Sequence, residues 1–236
     1  MAPILEPTPD EFAGWVKTAV GQLRPYLAAL EERRHLDLDG ADDICARLRV
    51  PLPKQSTSMN EALDTIFQTA LRPGFHTSGP GCFAYIPGGG LLHSAVADLI
   101  ADVLNRYVGV WAASPGFVQL EQNVVEWFCD VVGFAAQGDA RPGGYLSSGG
   151  SLANFSAVFT ARQTRLEAPM EKARLYTSWQ AHHSVVRAAV LAGFTKEQVR
   201  GIDVDDMYRV RVDLLEKAID DDRAAGLQPL MVIGQA

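Results

Sequence analysis

The sequence predicts an α/β protein in which a mostly parallel sheet with flanking helices follows an N-terminal helical segment. Three observations carry this. Residues 1–72 show helical periodicity and no obvious strand. Residues 73–90, PGFHTSGPGCFAYIPGGG, form a long Gly- and Pro-rich loop of the kind that is usually functional inside a compact domain. After Gly133, short apolar runs alternate with amphipathic helices, the pattern of βαβ units. The expected division is therefore a helical segment over residues 1–72 and the first part of an α/β domain over 73–236.

In chain order, Thr8 or Asp10 can cap a helix over 8–34, on which Phe12, Trp15, Val16, Ala19 and Leu23 recur at helical spacing. Pro25 is expected to break or restart it. Helices follow over 40–49 and 58–71, separated by Pro51 and Pro53. Two longer helices are predicted over 91–107 and 116–132. Then come a strand at 144–148, a helix at 152–166, a strand at 174–177 and a helix at 183–192 closed by Gly193. A strand at 199–204, a helix at 213–225 and a strand at 230–234 complete the pattern. The acidic run Asp220–Asp222 reads as a solvated helix face.

Composition narrows the function classes. The 236 residues carry 21 Lys and Arg against 28 Asp and Glu, a net charge of −7, so a phosphate backbone would be repelled and nucleic acid is not an expected partner. The most apolar tract, residues 91–104, contains His93, Asp98 and Asp102 and is too short to span a bilayer, so no membrane association is expected. Cys45, Cys82 and Cys129 are widely spaced and odd in number, which reads as core thiols in a reducing cytoplasm rather than a disulfide or zinc framework. No metal site is expected.

The most informative local segment is Ser147-Ser148-Gly149-Gly150-Ser151-Leu152-Ala153-Asn154, at a strand-to-helix junction. Two glycines let the backbone approach a ligand closely. Ser151 is read as the N-cap of the helix, whose first N–H groups would form an anion pocket suited to phosphate. A plain structural turn is the alternative. The segment lacks the Lys-Ser/Thr of a P-loop and the GxGxxG of a dinucleotide fold. It nearly matches a nucleophile elbow, with Gly149-Gly150-Ser151-Leu152-Ala153 reading G-x-S-x-A, which keeps a serine hydrolase using Ser151 open as a competing class.

Gln180-Ala-His182-His183 follows the next predicted strand, where open α/β sheets bind ligands. Adjacent histidines are expected to point apart, one to the site and one to solvent. An imidazole there can stack on a flat ring and move a proton near neutral pH.

Taken together, these residues resemble the pyridoxal-phosphate-dependent group II amino-acid decarboxylases. The resemblance rests on Phe83-Ala-Tyr-Ile-Pro87, Trp111-Ala-Ala-Ser-Pro115 with Leu120-Glu121, Ser148-Gly-Gly-Ser151 with Ala153-Asn154, and Gln180-Ala-His182, in that order. It implies the large domain of a fold type I pyridoxal-phosphate (PLP) enzyme and a homodimer. It also implies that Gly150 and Ser151 hold the cofactor phosphate, that Gly149 shapes the turn, and that His182 stacks on the pyridine ring with a share in proton transfer. Tyr85, Ile86 and Pro87 would line the substrate pocket, and Trp111 and Pro115 would lie near the site or interface, unless they are simply core and turn residues. Leu152 stands where the family often has Glu, and Ile86 where aromatic-substrate members often have an aromatic residue.

The implied activity is decarboxylation of an L-amino acid, aromatic or related, to an amine and CO2. A related carbon–carbon lyase, a serine hydrolase and a non-catalytic cofactor-binding module are the alternatives. The resemblance also implies that a Schiff-base lysine and an acidic partner for the ring nitrogen lie downstream. Lys17, Lys54, Lys172, Lys196 and Lys217 do not match that lysine's position. The chain is thus expected to be the amino-terminal portion of the enzyme, completed by a C-terminal chain or segment.

Overall fold

The structure, a computed structural model, describes residues 6–83, 89–134 and 143–235. Two compact units are present, residues 1–106 and 107–236.

In the first unit, α1 (Pro9–Ala28) begins with Thr8 and Glu11 in a reciprocal capping box, with Pro9 in the first helical position. Pro25 does not break the helix as the sequence suggested. It sits in the last turn, where the helix ends three residues later. Residues 1–72 are not free of strand either: β1 (Leu36–Asp37) pairs antiparallel with β2 (Gly74–Phe75) in a minimal ribbon. Between them lie α2 (Ala41–Leu48) and α3 (Met59–Asp64), the latter capped by Ser58 and Glu61 and continued by a π-helical turn over Thr65–Ala70. After β2 comes α4 (Leu92–Leu104), which stops where Asn105 adopts a left-handed conformation.

The second unit starts with α5 (Pro115–Val131). Residues 144–148 were expected to form a strand, but they pair with no strand among the described residues. The Leu146 N–H instead donates to Glu121 Oε1 at 2.7 Å. From there the alternation holds: α6 (Gly150–Arg165), β3 (Ala173–Ser178), α7 (Ser184–Leu191), β4 (Val199–Ile202), α8 (Val212–Ala224) and β5 (Gln228–Ile233).

The three strands are parallel and lie in the order β4-β3-β5. Central β3 is almost wholly buried, as expected for a strand covered on both faces. Leu175 faces Val158 of α6 and Ala188 and Ala189 of α7, in a core completed by Ala173, Ala192 and Phe194. Tyr176, one residue on, faces the opposite side and reaches Asp222 of α8. The unit is thus three layers, helix on sheet on helix. The β3–β5 register slips between Arg174 and Leu175, opposite Pro229, which has no N–H to give the ladder.

None of the three cysteines is in the core: Cys45 is exposed, and Cys82 and Cys129 are half-buried. No helix among the described residues is long and apolar enough to cross a membrane.

Candidate functional site

The connection from β3 runs outward to β4, whereas the chain returns from β4 past β3 to β5. That reversal opens a crevice outside the carboxyl ends of β3 and β5, where open α/β sheets take their ligands. Residues from both strand ends meet there. The side-chain amide of Gln235 donates to the Gln180 carbonyl at 3.3 Å and accepts from the His182 N–H at 2.8 Å.

The glycine turn enters the same neighbourhood from α6. Here the structure corrects one expectation: Ser151 is not the cap. Gly149 is, with φ 151° and ψ 171°, and α6 already begins at Gly150. Gly149 can cap because it tolerates that φ, and Ser147 braces it, its hydroxyl donating to the Gly149 carbonyl at 3.0 Å. The Gly149 carbonyl accepts from the N–H groups of Leu152 and Ala153, both at 3.1 Å. The N–H groups of Gly150 and Ser151 stand ahead of the helix's own ladder.

No side chain caps this helix end and no acidic residue occupies its first turn. A Cβ added at Gly149 or Gly150 would meet no atom within 4 Å. A helix end with no side-chain cap, open space before it and no acidic residue in its first turn fits a phosphate.

Asn154, one turn along α6, joins this turn to the histidine turn. Its Nδ2 donates to Ser184 Oγ at 2.9 Å, and Ser184 Oγ lies 2.8 Å from His182 Nδ1. Ser184 is buried, whereas His182 is exposed. The two histidines do not point apart as expected: their ring centroids are 4.1 Å apart at an interplanar angle of 37°. They sit in a turn rather than a strand, and His183 already has helical backbone angles, so consecutive side chains converge. The charge of His182 holds His183 below the usual histidine range.

Behind the crevice, the Asp220–Asp222 run is not uniformly solvated. Asp220 and Asp221 pair at the surface with Arg223 and Lys217. Asp222 is buried, accepting from the Tyr176 hydroxyl at 2.8 Å and from Arg200 Nη2 at 2.7 Å. Burial pulls the Asp222 carboxyl upward, but the hydrogen bonds from Arg200 and Tyr176 outweigh it and hold the group below the usual carboxylate range. Burial first, and then the neighbouring Asp222, push the Tyr176 phenol well above its ordinary value.

Tyr85, Ile86 and Pro87 lie outside the described residues. Trp111 is two-thirds exposed in a short 3₁₀ turn, and Pro115 is the first residue of α5. No group of His, Cys, Asp and Glu among the described residues could hold a metal.

A three-layer α/β unit with an open helix N-terminus bonded to a histidine turn can accept a phosphate-bearing flat ligand outside its strand ends. The chain belongs to the family of pyridoxal-dependent decarboxylases, whose conserved-domain model matches residues 46–236. It is 30% identical over 218 residues to an aromatic-L-amino-acid decarboxylase of Bacillus atrophaeus, covering 92% of this chain and 45% of that protein. It is 31% identical over 206 residues to the histidine decarboxylase of Mus musculus, covering 78% of this chain and 31% of the relative. Among solved structures, Oryza sativa TDC with PLP and tryptamine superposes with a TM-score of 0.88 at 22% identity, over 98% of this chain and 52% of that one. The fold is that of the fold type I PLP enzymes. The chain spans about half the length of such relatives, or less.

Proposed function

We propose that this chain supplies the phosphate- and ring-binding half of a PLP-dependent decarboxylase that converts an L-amino acid, aromatic or related, to an amine and CO2. The observation that carries this reading is the Asn154–Ser184–His182 chain of contacts, which ties the anion-accepting turn to an exposed imidazole. In this reading the Gly150 and Ser151 N–H groups and the Ser151 hydroxyl bind the phosphate, with Gly149 setting the turn. His182 would stack on the cofactor ring, with the His183 ring packed beside it, and could hold or pass a proton at a ring nitrogen. When bound, the cofactor withdraws electrons from the carbon that loses CO2. Tyr85, Ile86 and Pro87 would contact the substrate.

The relatives extend well beyond the matched portion, and we place the lysine that anchors the cofactor, and the acid that pairs with its ring nitrogen, in that remaining part. Residues 1–72 would serve dimer formation and 73–236 the cofactor domain. A homodimer is supported by α4, where Leu92, Val96, Leu99 and Val103 form an exposed apolar stripe. A cytoplasmic location belongs to the same reading and rests on the cysteine spacing.

The serine-hydrolase alternative draws no support from the geometry. His182, the candidate base after β3, turns its Nδ1 to Ser184, not Ser151. Substituting Ser151 by Ala decides between the two. A decarboxylase loses cofactor affinity and keeps residual turnover, whereas a hydrolase loses nearly all activity.

A further inference from the structure

We propose that Asn154 and Ser184 are positioning residues that fix which nitrogen of the neutral His182 ring carries the proton, placing it on Nε2. The inference builds on the cofactor reading, since it specifies the state in which His182 would meet the ring. Ser184 Oγ lies 2.8 Å from His182 Nδ1 and accepts from Asn154 Nδ2 at 2.9 Å. These contacts alone are ambiguous. A hydroxyl both donates and accepts, and rotating the Asn154 amide would reverse the whole chain.

The backbone removes the ambiguity. The Ser184 N–H also points at His182 Nδ1, at 3.3 Å. An amide N–H only donates, so Nδ1 must accept. A proton on Nδ1 would face that N–H head-on. With Nδ1 an acceptor, the Ser184 hydroxyl donates to it, its oxygen is left to accept, and Asn154 presents its NH2. Every group in the chain is satisfied in this one direction: Asn154 N–H to Ser184 O–H to His182 Nδ1. Burial of Ser184, 4% exposed, keeps water from competing for its hydroxyl.

Two further contacts hold the ring where the relay can act. Gln235 accepts the His182 backbone N–H at 2.8 Å, and the His183 ring packs against that of His182 at 4.1 Å. In the neutral ring the exchangeable proton then lies on Nε2, remote from the relay. His182 thereby meets a ligand as a hydrogen-bond donor at Nε2 and offers no basic lone pair there.

The test is ¹⁵N NMR of the histidine side chains in the full-length protein, recorded without cofactor and at alkaline pH, where a free imidazole is neutral. The wild-type His182 should show an unprotonated Nδ1 and a protonated Nε2. An Nδ1–H ring in the wild type overturns the proposal without any variant.

Asn154→Asp, nearly identical in shape, replaces a donor by an acceptor and reverses the relay. It should raise the His182 Nδ1–H population above that of the wild type, against the bias toward an accepting Nδ1 that the Ser184 N–H retains. Ser184→Ala should cancel that effect in the double variant, and Ser184→Thr should restore it. An Asn154→Asp shift that is absent, or that survives loss of the hydroxyl, contradicts the relay. PLP binding is titrated separately by absorbance. A protein with the expected tautomer that fails to bind PLP would sink the cofactor reading alone, and the reverse result would sink the relay alone.

Discussion

The Tyr176 hydroxyl donates to Asp222 Oδ2 at 2.8 Å, joining the central strand of the sheet to α8 across a buried face. Arg200 of β4 closes the triangle on the same carboxylate. The Asp222 carboxyl is held low in the folded protein, so its stabilising contribution is present above the ordinary carboxylate pKa and is lost as pH falls through the folded value. The Tyr176 phenol is held high, so its contribution is present below the ordinary phenol pKa of about 10 and fades as pH rises above it. Thermal unfolding against pH should therefore show two flanks, of which the acid one flattens in Asp222→Asn while the alkaline one, set first by burial, persists in part. Asp222→Ala leaves the Tyr176 hydroxyl buried without its acceptor and should cost about 2–3 kcal/mol. A loss under 0.5 kcal/mol would show that the triangle does not hold the layers together.

The glycine turn separates conformation from space. Gly149 has φ 151°, which side-chain-bearing residues rarely adopt, whereas Gly150 is already helical and open. Gly149→Ala should lower stability by about 1 kcal/mol or more, and Gly150→Ala should leave it unchanged or slightly raised. Denaturant midpoints measured side by side check the contrast, and equal losses would refute it.

Removing the Ser151 hydroxyl deletes one charge-assisted contact to the proposed phosphate. Such a contact contributes about 1.5–3 kcal/mol, so the dissociation constant for PLP should rise roughly 10- to 100-fold in Ser151→Ala. Unfolding without cofactor should be unaltered, because α6 is capped by Gly149 and not by Ser151. An unchanged affinity would remove Ser151 from the phosphate site.

The apolar stripe of α4 makes the dimer proposal testable in solution. Val96 and Val103 are more than half exposed and two turns apart on one face. Val96→Glu with Val103→Glu should preserve the helix, since Glu is a good helix former, while burying charge in any interface. Sedimentation equilibrium should then report a monomer where the unaltered protein is a dimer. A monomeric wild type at micromolar concentration would contradict the proposal.

What the sequence displayed was chiefly local. Strand–helix alternation from residue 173 onward was legible because each βαβ unit carries its own pattern of apolar runs and helix-ending glycines such as Gly193 and Gly226. The turn at Gly149-Gly150 and the histidine turn after β3 were legible because turn chemistry is written in consecutive residues. Contacts between distant segments were not. Asn154 and Ser184 meet across thirty residues of sequence, and nothing local announces it. Residues 144–148 look like a strand, but strand character is realised only beside a partner. Asp222 was hidden inside an acidic triplet, although its spacing from Leu215 and Ile219 places it on the inward stripe of α8.

Gly149, Gly150, Ser151 and His182 are proposed to form the PLP half-site of a decarboxylase. The most direct test is the visible spectrum of the complete enzyme reconstituted with PLP, compared with its Ser151→Ala and His182→Ala variants. The unaltered enzyme should show a yellow absorbance band that borohydride bleaches, with saturation displaced to higher PLP concentration in both variants. A colourless protein, or a band that saturates identically in all three, would contradict the half-site.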